Sequence, residues 1–215
     1  MITMIAEIIK LDGSTFVVER NNLLSLEGLL TDRMNLEFPN WGVISNSGRI
    51  SFIDYDYSIK TLAFKKQLKA GMKVILKIKN TAFNFEENTG EFITDSWDYD
   101  DNSKEVTVTM KDGMEQLQSI TFEGVMFDFT TTSKTMNWAY KKLRDATHKL
   151  SNLIVDEFDS LDEKTRNRLN SLNIRYPYIS SNNLWAHWNN FGQATQTHIF
   201  KMPNGRITCK YLEGN

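Results

Sequence analysis

Residues 42–110 decide the fold that the sequence predicts, through the runs GVISNSGRISFIDYD (42–56), SIKTLAFKKQLKAGMKVILKIKN (58–80) and GEFITDSWDYDDNSKEVTVTM (90–110). Runs rich in β-branched and aromatic residues alternate there with turn residues, which is typical of an antiparallel sheet. One short helical segment lies among them. No residues in this stretch have the types and spacing of an active site, so the pattern predicts an architecture and not a reaction.

Composition places the chain among ordinary globular proteins. It has 215 residues and a net charge of −2, with lysine and arginine spread along its length, so a basic nucleic-acid-binding surface is not indicated. The single cysteine, Cys209, excludes an intrachain disulfide and a zinc site built from cysteines. The start lacks the basic region of a signal peptide, and no run approaches the roughly 20 apolar residues of a membrane span. We expect synthesis in the cytoplasm and no stable membrane insertion.

The first part of the chain is predicted to consist of strands and one short helix. An Asp-Gly pair at 12–13 predicts a hairpin of residues 2–10 and 14–19. The apolar run 21–38 is assigned to a strand. Residues 41–44 and 49–55 are predicted to form a second hairpin through the turn 45–48. The spacing of Ile59, Leu62 and Ala63 favours a helix over 58–68.

Further strands follow residue 72. In the strand 73–79, Val74, Leu76 and Ile78 are predicted to face inward and the lysines at 73, 77 and 79 to face water. Strands 81–86 and 90–98 are predicted to meet at a turn over 87–90. A polar turn at 98–103 leads into the strand 104–110, which buries every second residue. A short amphipathic segment with Leu117 and Ile120 and a strand over 122–127 come next.

The pattern changes from strands to helices after residue 129. Ser133 is the predicted N-cap of a helix of about five turns, whose buried side is Met136, Ala139, Tyr140, Leu143, Ala146, Thr147, Leu150 and Ile154. A capping box over 160–163 predicts a second helix that buries Leu161, Leu169 and Leu172. A Tyr-Pro-Tyr run at 176–178 ends it. Asn182 or Asn183 caps a third helix, which carries Leu184, Trp185, Trp188 and Phe191 and ends at Gly192. A hairpin of residues 196–202 and 206–212 is last.

These elements together predict an α+β fold. A β-barrel-like domain over residues 1–129 is followed by a smaller helix-rich region over residues 130–215, which ends in a β-hairpin.

Acidic residues at 98, 100 and 101, with Asn102, have the composition of a calcium-binding loop. Aligned on an EF-hand from Asp98, however, Ser103 stands where glycine is needed and Thr109 where glutamate is needed. A start at Asp54 fails in the same way, with Lys65 at the glutamate position. We interpret the run as a solvated turn and predict no metal site.

The residues that most often carry catalysis form no recognisable constellation. His148, His187 and His198 make no i, i+4 metal pair, and no serine or cysteine motif accompanies them. Cys209 lies in the last predicted strand and is interpreted as a small buried hydrophobe or an inert thiol at a sheet edge. We therefore predict no catalytic residue, no cofactor site and no enzyme activity.

The five tryptophans leave a carbohydrate-binding function open, because exposed aromatic faces bind sugars. Two of them lie at i, i+3 on one short helix, a spacing typical of core anchors. The set is Trp41, Trp97, Trp138, Trp185 and Trp188. A β-rich carbohydrate-binding module of a surface or tail protein is thus the alternative function. For a third class, a tail-associated hydrolase, no nucleophile or acid/base pair can be named.

The order of motifs in the first part of the chain is distinctive. A strand pair ends in GRISFIDYD, LKAGMKV (68–74) enters the lysine-flanked strand, FITDSW (92–97) leads into VTV (106–108), and KDG (111–113) follows. This order resembles the first β-barrel of phage tail hub (baseplate hub) proteins. Hub proteins likewise enter a strand through a Gly-x-x-Val element. The helix from Ser133, Leu184-Trp185 and the hairpin ATQTHIFKMPNGRITCKY (194–211) resemble the hub's middle region.

The resemblance implies a structural role in the virion. A trimer would form a ring that joins the tail tube to the tail tip, with other tail proteins as partners and DNA only as transiting cargo. The barrel edges would carry assembly. The lysines at 73, 77 and 79 are interpreted as edge protection, with the lining of a DNA channel as the alternative. Hub proteins usually continue into a second barrel, so the sequence is either the first part of a longer protein or a compact relative.

Overall fold

The computed structural model describes residues 2–18, 23–27, 41–45, 47–55, 69–122, 134–174 and 182–211. These residues form the predicted α+β fold, in which sheet predominates. The chain divides into two compact units. Unit 1 contains Met1–Asp32, Asn46–Gly113 and Pro203–Gly205, and unit 2 contains Arg33–Ser45, Met114–Met202 and Arg206–Asn215. The predicted domain boundary after residue 129 lies outside the described residues and stays a prediction.

The strands are β1 (Ile2–Ile9), β2 (Thr15–Val18), β3 (Leu23–Glu27), β4 (Gly42–Val43), β5 (Ser47–Ile53), β6 (Lys73–Asn80), β7 (Phe85–Asp100), β8 (Glu105–Lys111), β9 (Thr121–Phe122), β10 (Lys134–Thr135), β11 (Ile154–Val155), β12 (Asn173–Ile174), β13 (Asn182–Asn183), β14 (Thr197–Lys201) and β15 (Arg206–Tyr211). The helices are α1 (Gln116–Ser119), α2 (Met136–Leu150), α3 (Glu163–Ser171) and α4 (Leu184–Thr195), and Phe158–Ser160 forms a 3₁₀ turn.

Unit 1 contains a seven-stranded sheet that curls as half of a barrel, with the strand order β2-β1-β6-β7-β8-β5-β3. All neighbouring strands are antiparallel, and the predicted first hairpin is confirmed as β1 and β2. The predicted alternation is confirmed along β8, where every second residue enters the core of this unit. On β6 it is confirmed for Val74 and Leu76 only, because Ile78 is half-buried and lies outside the core cluster. That core contains Ala6, Ile8, Val18, Ile50, Phe52, Met72, Val74, Leu76, Phe92, Val106, Val108 and Met110.

The predicted turn over residues 87–90 is wrong. β7 runs through these residues without interruption, and the turn that joins it to β6 lies at 81–84, where Asn84 has a φ of 47°. Thr89 is instead a bulge residue, since Gly90 pairs with Leu76 and Asn88 pairs with Lys77. The ring of Phe92 lies over Gly90, where a Cβ would come within 2.3 Å of it. The Asn-Thr-Gly sequence at 88–90, which is typical of a turn, therefore forms a β-bulge here.

The interpretation of the lysine strand as a sheet edge is also wrong. β6 lies between β1 and β7, and its backbone is paired along its whole length on the β1 side. In the described strand order the end strands are β2 and β3. The lysines of β6 therefore face solvent from the middle of the sheet.

The second predicted hairpin is wrong because its two arms belong to different sheets. β5 pairs with β3 and β8, whereas β4 pairs in parallel with β14 in a four-stranded sheet of order β11-β15-β14-β4. Asn189 of α4 accepts a hydrogen bond from the Val43 backbone at 3.2 Å. Gly42 also approaches Gly192 so closely that a Cβ at Gly192 would lie 2.5 Å from the Cα of Gly42. This close packing on α4 decides the pairing of β4.

Unit 2 builds its core from helices packed on the four-stranded sheet. Trp188 is fully buried and donates its Nε1 hydrogen to the hydroxyl of Thr147 at 2.9 Å. The rings of Tyr140 and Phe191 pack edge-on or tilted against it and each other. The final predicted hairpin is confirmed as β14 and β15. Within the described part of the chain, no helix has the length and apolar character needed to cross a membrane.

Several helix ends differ from the prediction, whereas the N-cap of α4 agrees with it. α2 begins after Thr135, so the Ser133 N-cap is wrong, and it ends at Leu150, which leaves Ile154 in β11. Leu150 and Ile154 are both exposed, so their predicted burial is wrong. The N-cap of α3 is Asp162 and not Ser160, because its carboxylate accepts the Thr165 backbone hydrogen at 2.9 Å. α4 continues past Gly192 to Thr195. The Asn183 N-cap is confirmed by its bond from the Ala186 backbone at 2.8 Å.

Several predicted elements lie outside the described residues. They are the part of the early strand over 28–38, the helix over 58–68 and the strand over 123–127. Residues 176–178 also lie outside, but they do not end α3 as predicted, because α3 ends at Ser171 and β12 follows.

Because Gly192 lies directly against Gly42, one added methyl group at Gly192 should lower the stability of the fold. We expect Gly192→Ala to lower the free energy of unfolding by about 1–3 kcal/mol, because backbone atoms cannot yield as a side chain can. Alanine otherwise favours a helix over glycine by about 1 kcal/mol, so the expected sign opposes helix propensity. Chemical denaturation measures the difference, and Gln193→Ala, at an exposed position of the same helix, is the control. Equal stability of the two variants would contradict the packing described here.

Candidate assembly surface

The acidic turn has the features of a solvated turn. The Asp100 carboxylate accepts hydrogen bonds from the Asn102 backbone at 2.9 Å and from the Ser103 hydroxyl at 2.8 Å. These bonds lower the pKa of Asp100. Its oxygens are therefore engaged within the turn itself. Among the described residues no three or more His, Cys, Asp or Glu side chains are grouped as metal ligands.

The three histidines lie on three different elements and contact different partners. His148 on α2 accepts a hydrogen bond at Nε2 from the Val155 backbone at 2.8 Å. His187 on α4 packs edge-on against the Phe122 ring, with 5.6 Å between centroids, and His198 on β14 packs on Trp41 at 4.9 Å. Burial lowers the pKa of both His187 and His198, which favours their neutral forms. Each histidine is thus tied to its local packing.

Cys209 lies in the middle of the four-stranded sheet, because β15 is flanked by β11 and β14. The residue is buried, and burial raises the pKa of its thiol to about 12. A thiol with such a pKa stays protonated near neutral pH and is a poor nucleophile. The interpretation as a small buried hydrophobe is confirmed, and the interpretation as an edge thiol is wrong.

The tryptophans are held by core packing, by ring contacts and by hydrogen bonds. Trp188 is the centre of the unit 2 core, and Trp97 belongs to unit 1, where its Nε1 donates to the Lys69 carbonyl at 3.3 Å. Lys142 lies over the ring of Trp138, 5.8 Å from its centroid. Trp41 contacts His198, and Trp185 is partly buried against the unit 2 core. Trp138, Trp185 and Trp188 thus lie in or against the unit 2 core, which favours the interpretation of the i, i+3 pair as core anchors.

The structure reveals a surface that the sequence pattern did not single out. Beyond the bulge at Thr89, β6 and β7 continue as a hairpin, residues 77–88, with residues 2–5 of β1 paired alongside. We call these segments the β-arm. Among its described side chains, those of residues 3–5 and 77–88, none belongs to the buried core cluster of unit 1, which on β6 ends at Leu76. The β-arm therefore extends the sheet past the core that supports it.

One face of the β-arm is charged. Lys77 Nζ lies 2.8 Å from Glu7 and 3.2 Å from Glu86, and Lys79 lies 3.9 Å from Glu86. The pKa of Lys77 is raised, chiefly by its hydrogen bond to Glu7. Nearer the core, Lys73 pairs with Glu91 at 2.8 Å. All three lysines of β6 are thus neutralised by carboxylates of the same sheet.

The opposite face of the β-arm carries apolar side chains and one carboxylate, that of Glu87. By register, Met4, Ile78 and Glu87 share one row across the strands, and Phe85 lies on the same face two residues from Glu87. Met4 and Ile78 are half-buried, whereas Phe85 is 48% exposed and Phe83, at the tip, is 79% exposed. An amphipathic strand arrangement with large exposed aromatics is typical of a surface that binds a partner.

Two further exposed apolar side chains lie at the other end of β1. In the hairpin of β1 and β2, Leu11 is 65% exposed and Val17 is 44% exposed. Ile2 of β1 pairs beside the tip of the β-arm, and Ile9 lies next to the turn that contains Leu11. Seven residue steps of about 3.3 Å separate these ends by roughly 23 Å. The exposed residues of this hairpin are therefore well separated from the tip of the β-arm.

Comparison with known proteins gives a likeness in structure alone. No protein-family profile matches the sequence, and no curated protein matches it. The structure is similar to the 43 kDa tail protein of prophage MuSo2 from Shewanella oneidensis, with a TM-score of 0.53 and 9% sequence identity. The chain has the fold of this tail protein. The likeness covers 99% of the chain and 56% of the tail protein, so the chain spans just over half of its length.

A tail protein from Neisseria meningitidis MC58 gives a TM-score of 0.49 at 11% identity, over 96% of this chain and 50% of the other. That score is below the level from which we infer a shared fold.

The buried histidines predict a loss of stability in mild acid. The pKa of His187 and His198 in the folded chain is below the ordinary value of 6.5, so below that pH the unfolded chain binds more protons than the folded one. We expect the free energy of unfolding to fall as the pH is lowered from 7 through the histidine range. Urea denaturation at several pH values between about 7 and 5 measures this slope.

The double variant His187→Phe and His198→Phe keeps two aromatic rings and removes both titrating groups. Its stability should depend less on pH over the same range. An unchanged slope in the double variant would show that other groups cause the dependence.

Proposed function

We propose that the chain is a structural component of a phage tail, and specifically a hub subunit that links the tail tube to the tail tip. The observation that carries the proposal is the likeness of fold to the Shewanella prophage tail protein, which extends over 99% of this chain and so includes both units. A phage protein with this role is synthesised in the host cytoplasm and resides in the virion tail.

In this proposal the chain acts by assembly and not by catalysis. Its copies associate with one another, as a trimer, and with other tail proteins. Support comes from the seven-stranded sheet, whose end strands β2 and β3 each have one neighbour in the described strand order. The exposed aromatics of the β-arm offer a further contact.

DNA is at most transiting cargo in this proposal. A strand of three lysines would suit a channel that DNA crosses, but each lysine of β6 lies within 4 Å of a glutamate. Pairing of this kind cancels most of the positive potential that attracts phosphates. The lysines therefore support the stability and solubility of the sheet more than DNA contact.

Self-association and sugar binding distinguish the hub proposal from the carbohydrate-binding alternative. We expect sedimentation velocity at increasing protein concentration to show trimers or larger rings, and negative-stain images of the same samples to show ring-shaped particles. On an oligosaccharide array we expect no binding. A strict monomer that binds oligosaccharide would overturn the hub proposal in favour of the alternative. A monomer that binds no sugar would contradict the self-association on which the proposal depends.

A further inference from the structure

We propose that Asn204 is a site of spontaneous covalent modification, at which the Asn204-Gly205 pair cyclises and then opens to aspartate and isoaspartate. The reaction is deamidation, and it needs water and no other reactant. Asparagine is among the heat-labile residues of proteins. This reactivity does not depend on the proposed function, because it belongs to one turn of unit 1.

The chemistry follows from the two residues. The backbone nitrogen of Gly205 loses its proton and attacks the carboxamide carbon of Asn204, which closes a five-membered succinimide ring as the bond to the amide nitrogen breaks and ammonia leaves. Water then opens the ring at either carbonyl and gives aspartate or isoaspartate. Glycine favours the attack because no side chain crowds its nitrogen. Asn204 is the one asparagine of the sequence that precedes a glycine.

The structure allows three related pairs to be compared. An aspartate or asparagine precedes glycine at Asp12-Gly13, Asp112-Gly113 and Asn204-Gly205. The φ angles of the three glycines are 82°, 83° and 81°. Because this backbone angle is shared, we expect differences in reactivity to come from the chemistry and surroundings of the preceding side chain.

The two aspartates are held in forms that react poorly. The Asp12 carboxylate accepts the hydroxyl and backbone hydrogens of Ser14 at 2.6 Å and 2.9 Å, and these bonds lower the pKa of Asp12. An ionised carboxylate resists a nucleophile because it already carries negative charge. Asp112 is only 2% exposed, so base and water reach it poorly.

Asn204 combines an uncharged carboxamide with exposure. The residue lies at the surface, in the turn between β14 and β15. The Met202 backbone donates a hydrogen bond to the Arg206 carbonyl at 2.8 Å, and this bond closes the turn around residues 203–205. Ring closure therefore requires rotation within these three residues, and the paired strands on either side stay in place.

The products change both the charge and the length of the turn. Loss of the amide makes the formal net charge, which is −2, more negative by one unit, and isoaspartate adds one carbon to the main chain. Gly205 lies against Glu91, since a Cβ at Gly205 would lie 2.8 Å from a carboxylate oxygen of Glu91. Glu91 in turn pairs with Lys73 at 2.8 Å. The new carboxylate thus arises one residue from the contact with this ion pair.

Peptide mapping tests the assignment. The purified chain is incubated in mildly alkaline buffer and digested with trypsin, which releases residues 202–206 as one peptide because Lys201 precedes it and Arg206 ends it. Compared with a sample digested without incubation, we expect two products of equal mass, heavier than the parent by one mass unit and separable by chromatography. Conversion should be slower at neutral pH, because the attacking nitrogen must lose a proton.

Asn204→Gln and Asn102→Gln are matched variants, because each alters an exposed asparagine in the turn of a hairpin. Glutamine at 204 would have to close a larger ring, which forms less readily. Ion-exchange chromatography of the intact chain should show a more acidic form accumulating in the wild type and in Asn102→Gln, and not in Asn204→Gln. Equal accumulation in both variants, or an unmodified 202–206 peptide in the wild type, would overturn the proposal.

Comparison with the unfolded chain tests the part that the structure plays. The same ring can form at Asp12-Gly13 and Asp112-Gly113, where it yields isoaspartate without a change in mass. In the folded chain we expect isoaspartate at 204 alone, and in concentrated urea at all three pairs. Isoaspartate at 12 or 112 in the folded chain, formed as fast as at 204, would show that the bonds from Ser14 and the burial of Asp112 do not determine which pair reacts.

Discussion

β7 is the strand on which the large sheet depends, because three strands lie on each side of it. Its first half pairs with β6 and its second half with β8, and both neighbours reach it together only around Ile93 and Thr94. At that point the Thr94 hydroxyl accepts the Met72 backbone hydrogen and donates to the Lys69 carbonyl, both at 3.0 Å. A bulge on each side of this point bends the strand. The curl of the sheet and the reach of the β-arm both follow from this one strand.

Unit 2 depends on helix packing where unit 1 depends on strand pairing. Several of its strands are only two residues long and would not be stable alone. They are fixed because α4 carries Trp188 into the core and brings Gly192 against Gly42. The α2 helix contributes Tyr140, whose hydroxyl donates to the Asp156 carbonyl at 2.9 Å beside β11. Contacts between residues distant in sequence thus determine the small strands.

Features that depend on a local period could be predicted from the sequence. The alternation of Val106, Val108 and Met110 and the N-cap at Asn183 are examples, because each is decided within a few residues. The turn predicted from Asn-Thr-Gly at 88–90 is wrong because a bulge is defined by pairing with the partner strand, which this short sequence does not reveal. The hairpin predicted for β4 is wrong because the elements that Gly42 packs against, β14 and α4, come late in the chain. The β-arm could not be predicted, since the exposure of Phe83 and Phe85 depends on where the core ends.

We propose that the chain acts by assembling with itself through unit 1. Electron cryomicroscopy of particles formed by the purified chain would decide this. We expect rotationally symmetric particles in which unit 1 of each copy contacts unit 1 of the next. Particles that contain a single copy, or assemblies in which unit 1 touches no neighbour, would show that the proposal is wrong.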